Sequence, residues 1–191
     1  MNADEKIFKA YFELKKAELY FNQIKEYTNL SNSSLQNSLS KLIKNKLIVI
    51  NKTKSNTYYR ISNRKSFSLE YSKIAIILFE ELNKGIKIPL QEFLKNLETD
   101  VFSVVLFGSS SIKKENKNSD IDLMIVSDKP LKELPEIKKK AELISNYPFN
   151  IFTCNIKQLK KSKDHLIIQA KITGFPIKSE QNFYEVLLNE I

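Results

Sequence analysis

Two acids stand two residues apart in "SDIDLMIV", at Asp120 and Asp122. On an extended strand, residues i and i+2 point to the same side. The two carboxylates therefore share a face, while Ile121, Leu123 and Ile125 turn the other way, towards a core. Carboxylates that close repel unless a cation lies between them. An all-oxygen pair suits Mg²⁺ or Mn²⁺, ions that also bind substrate phosphates. Two such ions, about 4 Å apart, activate an attacking oxygen and stabilise a leaving pyrophosphate.

Eleven positions before Asp120 stands a second polar group. "DVFSVVLFGSSS" reads as a buried strand from Val101 to Phe107 that ends at Gly108, one of only three glycines in 191 residues. Glycine and small residues let backbone approach a ligand. Ser109, Ser110 and Ser111 offer hydroxyls and backbone N–H groups, and a helix starting there would turn its N-terminus towards an anion. A phosphate is the expected ligand of Gly108, Ser109 and Ser110. A Walker loop is excluded, because its Gly-Lys-Ser/Thr is missing.

A strand, G-S, ten residues, then D-x-D within a second strand resembles the nucleotidyltransferase fold. More narrowly, it is similar to the minimal nucleotidyltransferases of archaea and bacteria, in the DNA-polymerase-β-like superfamily. The resemblance runs from about Val101 to the C-terminus. It implies that Gly108 and Ser109 hold a triphosphate and that Asp120 and Asp122 bind metal. It further implies transfer of NMP from an NTP, ATP first among them, to a hydroxyl on a protein side chain or an RNA end. Some relatives act as antitoxins that AMPylate a HEPN-type toxin, which makes such a toxin a candidate partner.

Two departures qualify this. The family carries a third acid on a later strand, and in "FNIFTCNI" that position falls on Asn150. An amide ligates a metal through its carbonyl oxygen, but it is no general base and brings no charge. Relatives also have a further glycine and a basic residue soon after G-S. Here Ser110, Ser111, Ile112 and Lys113 stand instead, with Lys113, Lys114 and Lys117 left to meet phosphates through charge or simply to face water. Cys154 reads as a small buried hydrophobe, and His165 as a helix-surface residue.

The elements that must position these groups follow from periodicity. "LKELPEIKKKAELISNYP" reads as a helix before the strand at 149–156. The remainder is helical around 157–172 and 179–190, with Gly174 and Pro176 between. Ahead of the motif, residues 64–85 form a helix with Tyr71, Ile74, Leu78 and Leu82 on one face, ended by Gly85. A second helix spans 89–98.

The N-terminal third has a different character. Residues 1–65 hold 13 Lys/Arg against 5 Asp/Glu, whereas 66–191 hold 18 against 17. Nearly all of the net charge of +9 thus lies in this segment. Such asymmetry points to a polyanion, or to lysine enrichment for solubility. A helix at 4–18 and a short helix at "YFNQIKEYT" precede the break "NLSNSS", where Asn32 or Ser33 is the expected cap. In "SSLQNSLSKLIKNKL", Leu35, Leu39 and Leu42 share a face, and "LIVINKTKSNTYYRIS" is a hairpin with a polar turn. This order resembles a winged helix-turn-helix. The candidate nucleic-acid contacts are Ser34, Gln36, Asn37 and Lys41 on the helix for base edges, with Lys52, Lys54 and Arg60 on the hairpin for phosphates. Docking of a protein, or homodimerisation, is the other use of such a module.

The expected architecture is α+β. It comprises a winged helix-turn-helix at 1–65, a helical connector at 66–99, and a nucleotidyltransferase-like domain at 100–191 with a small mixed sheet flanked by helices. One cysteine allows no internal disulfide, and no apolar run reaches transmembrane length, so a cytoplasmic protein without membrane contact is expected. Two functions remain open: an Mg²⁺- or Mn²⁺-dependent transferase in which Asp120, Asp122 and Asn150 are the catalytic positions, or an impaired nucleotidyltransferase-fold regulator or antitoxin that binds DNA.

Overall fold

A computed structural model describes residues 1–54, 56–98, 100–116 and 119–190. The chain divides into two compact units, residues 1–74 with 188–191, and residues 75–187.

The first unit begins with α1 (Ala3–Leu14), whose capping box pairs Asn2 with Glu5. There follow β1 (Glu18–Tyr20), α2 (Phe21–Thr28), α3 (Asn32–Lys44), β2 (Ile48–Lys52), β3 (Thr57–Ile61) and α4 (Arg64–Glu80), which continues into the second unit. The three strands form an antiparallel sheet in the order β1-β3-β2. β1 was not expected, because three residues show no alternation of their own and become a strand only by pairing with β3. The cap of α3 is Ser31 rather than Asn32 or Ser33: its Oγ accepts from the Ser34 N–H at 3.2 Å, and Asn32 is already helical. Ile7, Phe8, Tyr11 and Phe12 of α1 are buried, and Phe67 meets Phe8 and Tyr11 edge-on. Aromatic packing of this type is worth about 0.5–1.5 kcal/mol per pair beyond burial.

The second unit contains α5 (Lys84–Asn96), β4 (Ser103–Phe107), the single turn α6 (Gly108–Ser111), β5 (Ile121–Val126), α7 (Leu134–Glu142) and β6 (Phe149–Cys154). It continues with α8 (Ile156–Lys161), α9 (His165–Thr173), β7 (Phe175–Lys178) and α10 (Glu180–Asn189), the last of which ends in the first unit. The sheet order is β6-β5-β4-β7, with β5 and β6 parallel and the other pairs antiparallel. This is the expected mixed α+β arrangement.

Further details differ from expectation. Gly85 does not end α4; it lies in the first turn of α5, where its N–H meets the Asn83 side-chain cap at 2.9 Å. The helix expected at 157–172 is two helices, because Asp164 caps a new start through the Leu166 N–H. "FPIK" is an edge strand, and Pro176 is tolerated there because an edge leaves one side without ladder bonds. Finally, β5 is buried on both sides: Met124 and Val126, which share the Asp122 side, are as enclosed as Leu123 and Ile125. α6 packs against β5 and α9, and α9 against β4, so the central strands are covered rather than half-solvated. Among the described residues, no helix is long and apolar enough to cross a membrane.

Candidate nucleotide and metal site

The sheet register sets three side chains in one row. Phe107 on β4 faces Asp122 on β5, and Asp122 faces Asn150 on β6. The Asn150 Nδ2 donates to Asp122 Oδ1 at 2.9 Å. Edge strand β6 leaves Asn150 exposed, whereas Asp122 is only half-exposed. Phe107 also meets Phe152 edge-on, with ring centroids 5.7 Å apart, so an aromatic pair adjoins the polar groups on the same face of the sheet.

Asp120 is not in the strand. It stands one residue ahead of β5, and the register places it opposite Pro148, which has no N–H to extend the ladder. The Ile121 N–H instead reaches the Pro148 carbonyl at 2.9 Å. The exposed Asp120 is held through its backbone, since Ser110 Oγ donates to its carbonyl oxygen at 3.1 Å. Ser110 is fully buried, so its hydroxyl braces Asp120 rather than presenting itself to a ligand. Ser111 is likewise turned inward and donates to the carbonyls of Gly108 and Thr173, which ties the turn to the end of α9. Of the three serines, only Ser109 keeps a half-exposed position without such a bond.

Gly108 has a reason that the sequence did not disclose. Its φ is +73°, and a β-carbon there would lie 2.1 Å from Asp122 Oδ2. The glycine thus makes room for a carboxylate of its own chain as well as permitting the left-handed turn.

Burial holds the Asp122 carboxyl above the usual carboxylate range; the Asn150 hydrogen bond opposes this, and the negative charge of Asp120 adds to it. Among the described residues, no Lys or Arg pairs with Asp120 or Asp122. Lys113 is directed to Glu81, Nζ to Oε2 at 2.8 Å, and Lys114 is exposed. Lys117 lies outside the described residues. A hard-oxygen pair with no cationic partner fits a divalent ion such as Mg²⁺. No third His, Cys, Asp or Glu joins it among the described residues. Cys154 is buried, which pushes its thiol up to about 11, and His165 stands exposed at the start of α9.

The segment holding β4, the Gly108 turn, the acid pair and β6 can be compared with known families. Residues 88–173 match the family model for a nucleotidyltransferase domain. The matched region contains every residue of the row described above, and it ends at Thr173, where Ser111 is anchored. No curated protein and no solved structure matches the chain.

The predicted nucleic-acid contacts lie in the first unit. Gln36, Asn37 and Lys41 are exposed on α3, away from buried Leu35, Leu39 and Leu42, while Ser34 is half-buried. Lys41 is engaged, with Nζ 2.6 Å from Asp4 Oδ2. Lys52, Lys54 and Arg60 are exposed, and Arg60 stands between Glu18 and Val49 in the register. The hairpin turn is closed by Thr53, whose N–H and hydroxyl both donate to the Asn56 carbonyl; Ser55 lies outside the described residues.

Proposed function

We propose that the second unit is a metal-dependent nucleotidyltransferase that moves NMP from an NTP to a hydroxyl acceptor. The observation that carries this is Asp122, held between Gly108 and Asn150 beside Asp120, within the matched region. Ser109 and the Gly108 turn meet the β- and γ-phosphates, and Asp120 and Asp122 hold Mg²⁺. When bound, the ion offsets phosphate charge and polarises the α-phosphorus. The acceptor oxygen bonds to that phosphorus, the bond to the β-phosphate oxygen breaks, and pyrophosphate leaves. Asn150 cannot take the acceptor's proton, which passes to solvent. Its part is to keep Asp122 in place.

Incubation with α-labelled ATP, CTP, GTP or UTP and Mg²⁺ or Mn²⁺, alone and with cell extract, tests the reading. A labelled product that disappears in Asp120→Ala/Asp122→Ala supports it. No label with any nucleotide overturns it.

Asn150 favours a second reading, an impaired member that binds nucleotide and serves as a regulator or antitoxin. Nucleotide-dependent thermal stabilisation with no label transfer distinguishes it. In either case the first unit is read as a winged helix-turn-helix that binds DNA, supported by the order α1–β1–α2–α3–β2–β3 and by the exposed polar face of α3. A HEPN-type toxin as protein partner, and a homodimer, belong to the antitoxin reading.

A further inference from the structure

Asp122 is confined from two sides. Oδ1 accepts from Asn150, and Oδ2 lies against the α-carbon of Gly108. The orientation of the amide follows from chemistry: the reversed one would place its carbonyl oxygen against the carboxylate. Its Nδ2 therefore occupies the β6 side of Asp122. No further acid, histidine or cysteine joins Asp120 and Asp122 among the described residues. The other five residues, Ser55, Thr99, Lys117, Asn118 and Ile191, are of none of these types.

We propose that Asn150 makes this a one-cation site, an inference that rests on the nucleotide-and-metal reading above. Mg²⁺ is commonly held by one or two carboxylates plus substrate phosphates. Because Oδ1 of Asp122 already accepts from Asn150, the pair is assigned to one shared ion rather than to one ion per carboxylate. A second divalent ion would need an anion of its own on the β6 side, where the chain offers a neutral donor already committed to Oδ1. The amide thus orients Asp122 for one ion and withholds the charge for another. An acid at the same register position would reverse both effects.

Counting bound Mn²⁺ by electron paramagnetic resonance tests this, using the full chain with a non-hydrolysable ATP analogue. One Asp122-dependent Mn²⁺ per chain is expected for the natural sequence. Asn150→Ala keeps one but binds it about tenfold more weakly, the loss typical of a partner that orients a metal ligand. Asn150→Asp binds two. Two ions in the natural sequence, or one in Asn150→Asp, overturn the inference while leaving the nucleotidyltransferase reading intact. No Asp122-dependent ion under any condition overturns both.

Discussion

The Asp122 carboxylate lies against Gly108, where a β-carbon would come within 2.1 Å of Oδ2. The residue that opens the serine turn is therefore sterically coupled to the acid on the neighbouring strand. Gly108→Ala is expected to be damaging in two ways. The left-handed backbone costs about 1–2 kcal/mol with a β-carbon, and Asp122 must move. Urea unfolding should register the first effect. Loss of the Asp122-dependent Mn²⁺ signal should register the second, and an unchanged signal would refute the coupling.

The raised pKa of Asp122 gives a pH dependence of definite sign. A carboxyl that holds its proton more tightly when folded stabilises the fold at low pH. That contribution is lost as pH rises through the folded value. The metal-free protein should thus lose thermal stability as pH climbs above the ordinary carboxylate range. Asp122→Asn should flatten this slope, and saturating Mg²⁺ should oppose it in the natural sequence. Identical slopes for the two proteins without metal would contradict the assignment.

In the first unit, the fully buried Tyr11 donates its hydroxyl to the Tyr59 carbonyl at 2.7 Å. Burial, with lesser effects of Tyr59 and Glu18, pushes this phenol far above its usual range, so it remains a donor at any working pH. Tyr11→Phe removes the donor that joins α1 to the central strand β3. A loss of about 1–2 kcal/mol is expected, read as a lower urea midpoint.

The hairpin lysines address the DNA reading. Lys52 and Lys54 are both exposed on the hairpin. If each meets one phosphate, Lys52→Ala/Lys54→Ala should reduce the slope of log K against log salt by about 1.8. Lys41→Ala should change it by less than about 1, because that ammonium already pairs with Asp4. Binding insensitive to salt would point to protein docking instead.

Much of this was legible in one dimension. The end of β4 at Phe107 and the start of β6 at Phe149 followed from apolar runs bounded by Gly108 and Pro148. That Asn150 stands where a third acid was expected was implied by the family resemblance; its pairing with Asp122 is a matter of sheet register, which the structure supplied. What escaped were features created by partners. β1 exists only beside β3, Asp120 leaves the strand because Pro148 faces it, and β7 becomes a strand by pairing with β4.

By itself the sequence determined which chemical groups are available: a glycine and serines after one strand, two acids eleven and thirteen positions beyond Ser109, and an amide where a third acid was expected. Residue type and spacing are enough for the glycine, serines and acids, and the family resemblance for the third position. Only the tertiary structure decided what each group is free to do. Ser110 and Ser111 are spent on carbonyls, Gly108 yields its space to Asp122, and Asn150 donates to that carboxylate. Those outcomes depend on how strands and turns meet in space, from Ser111 on Thr173 to Asn150 on Asp122, because hydrogen bonds and excluded volume act between spatial neighbours.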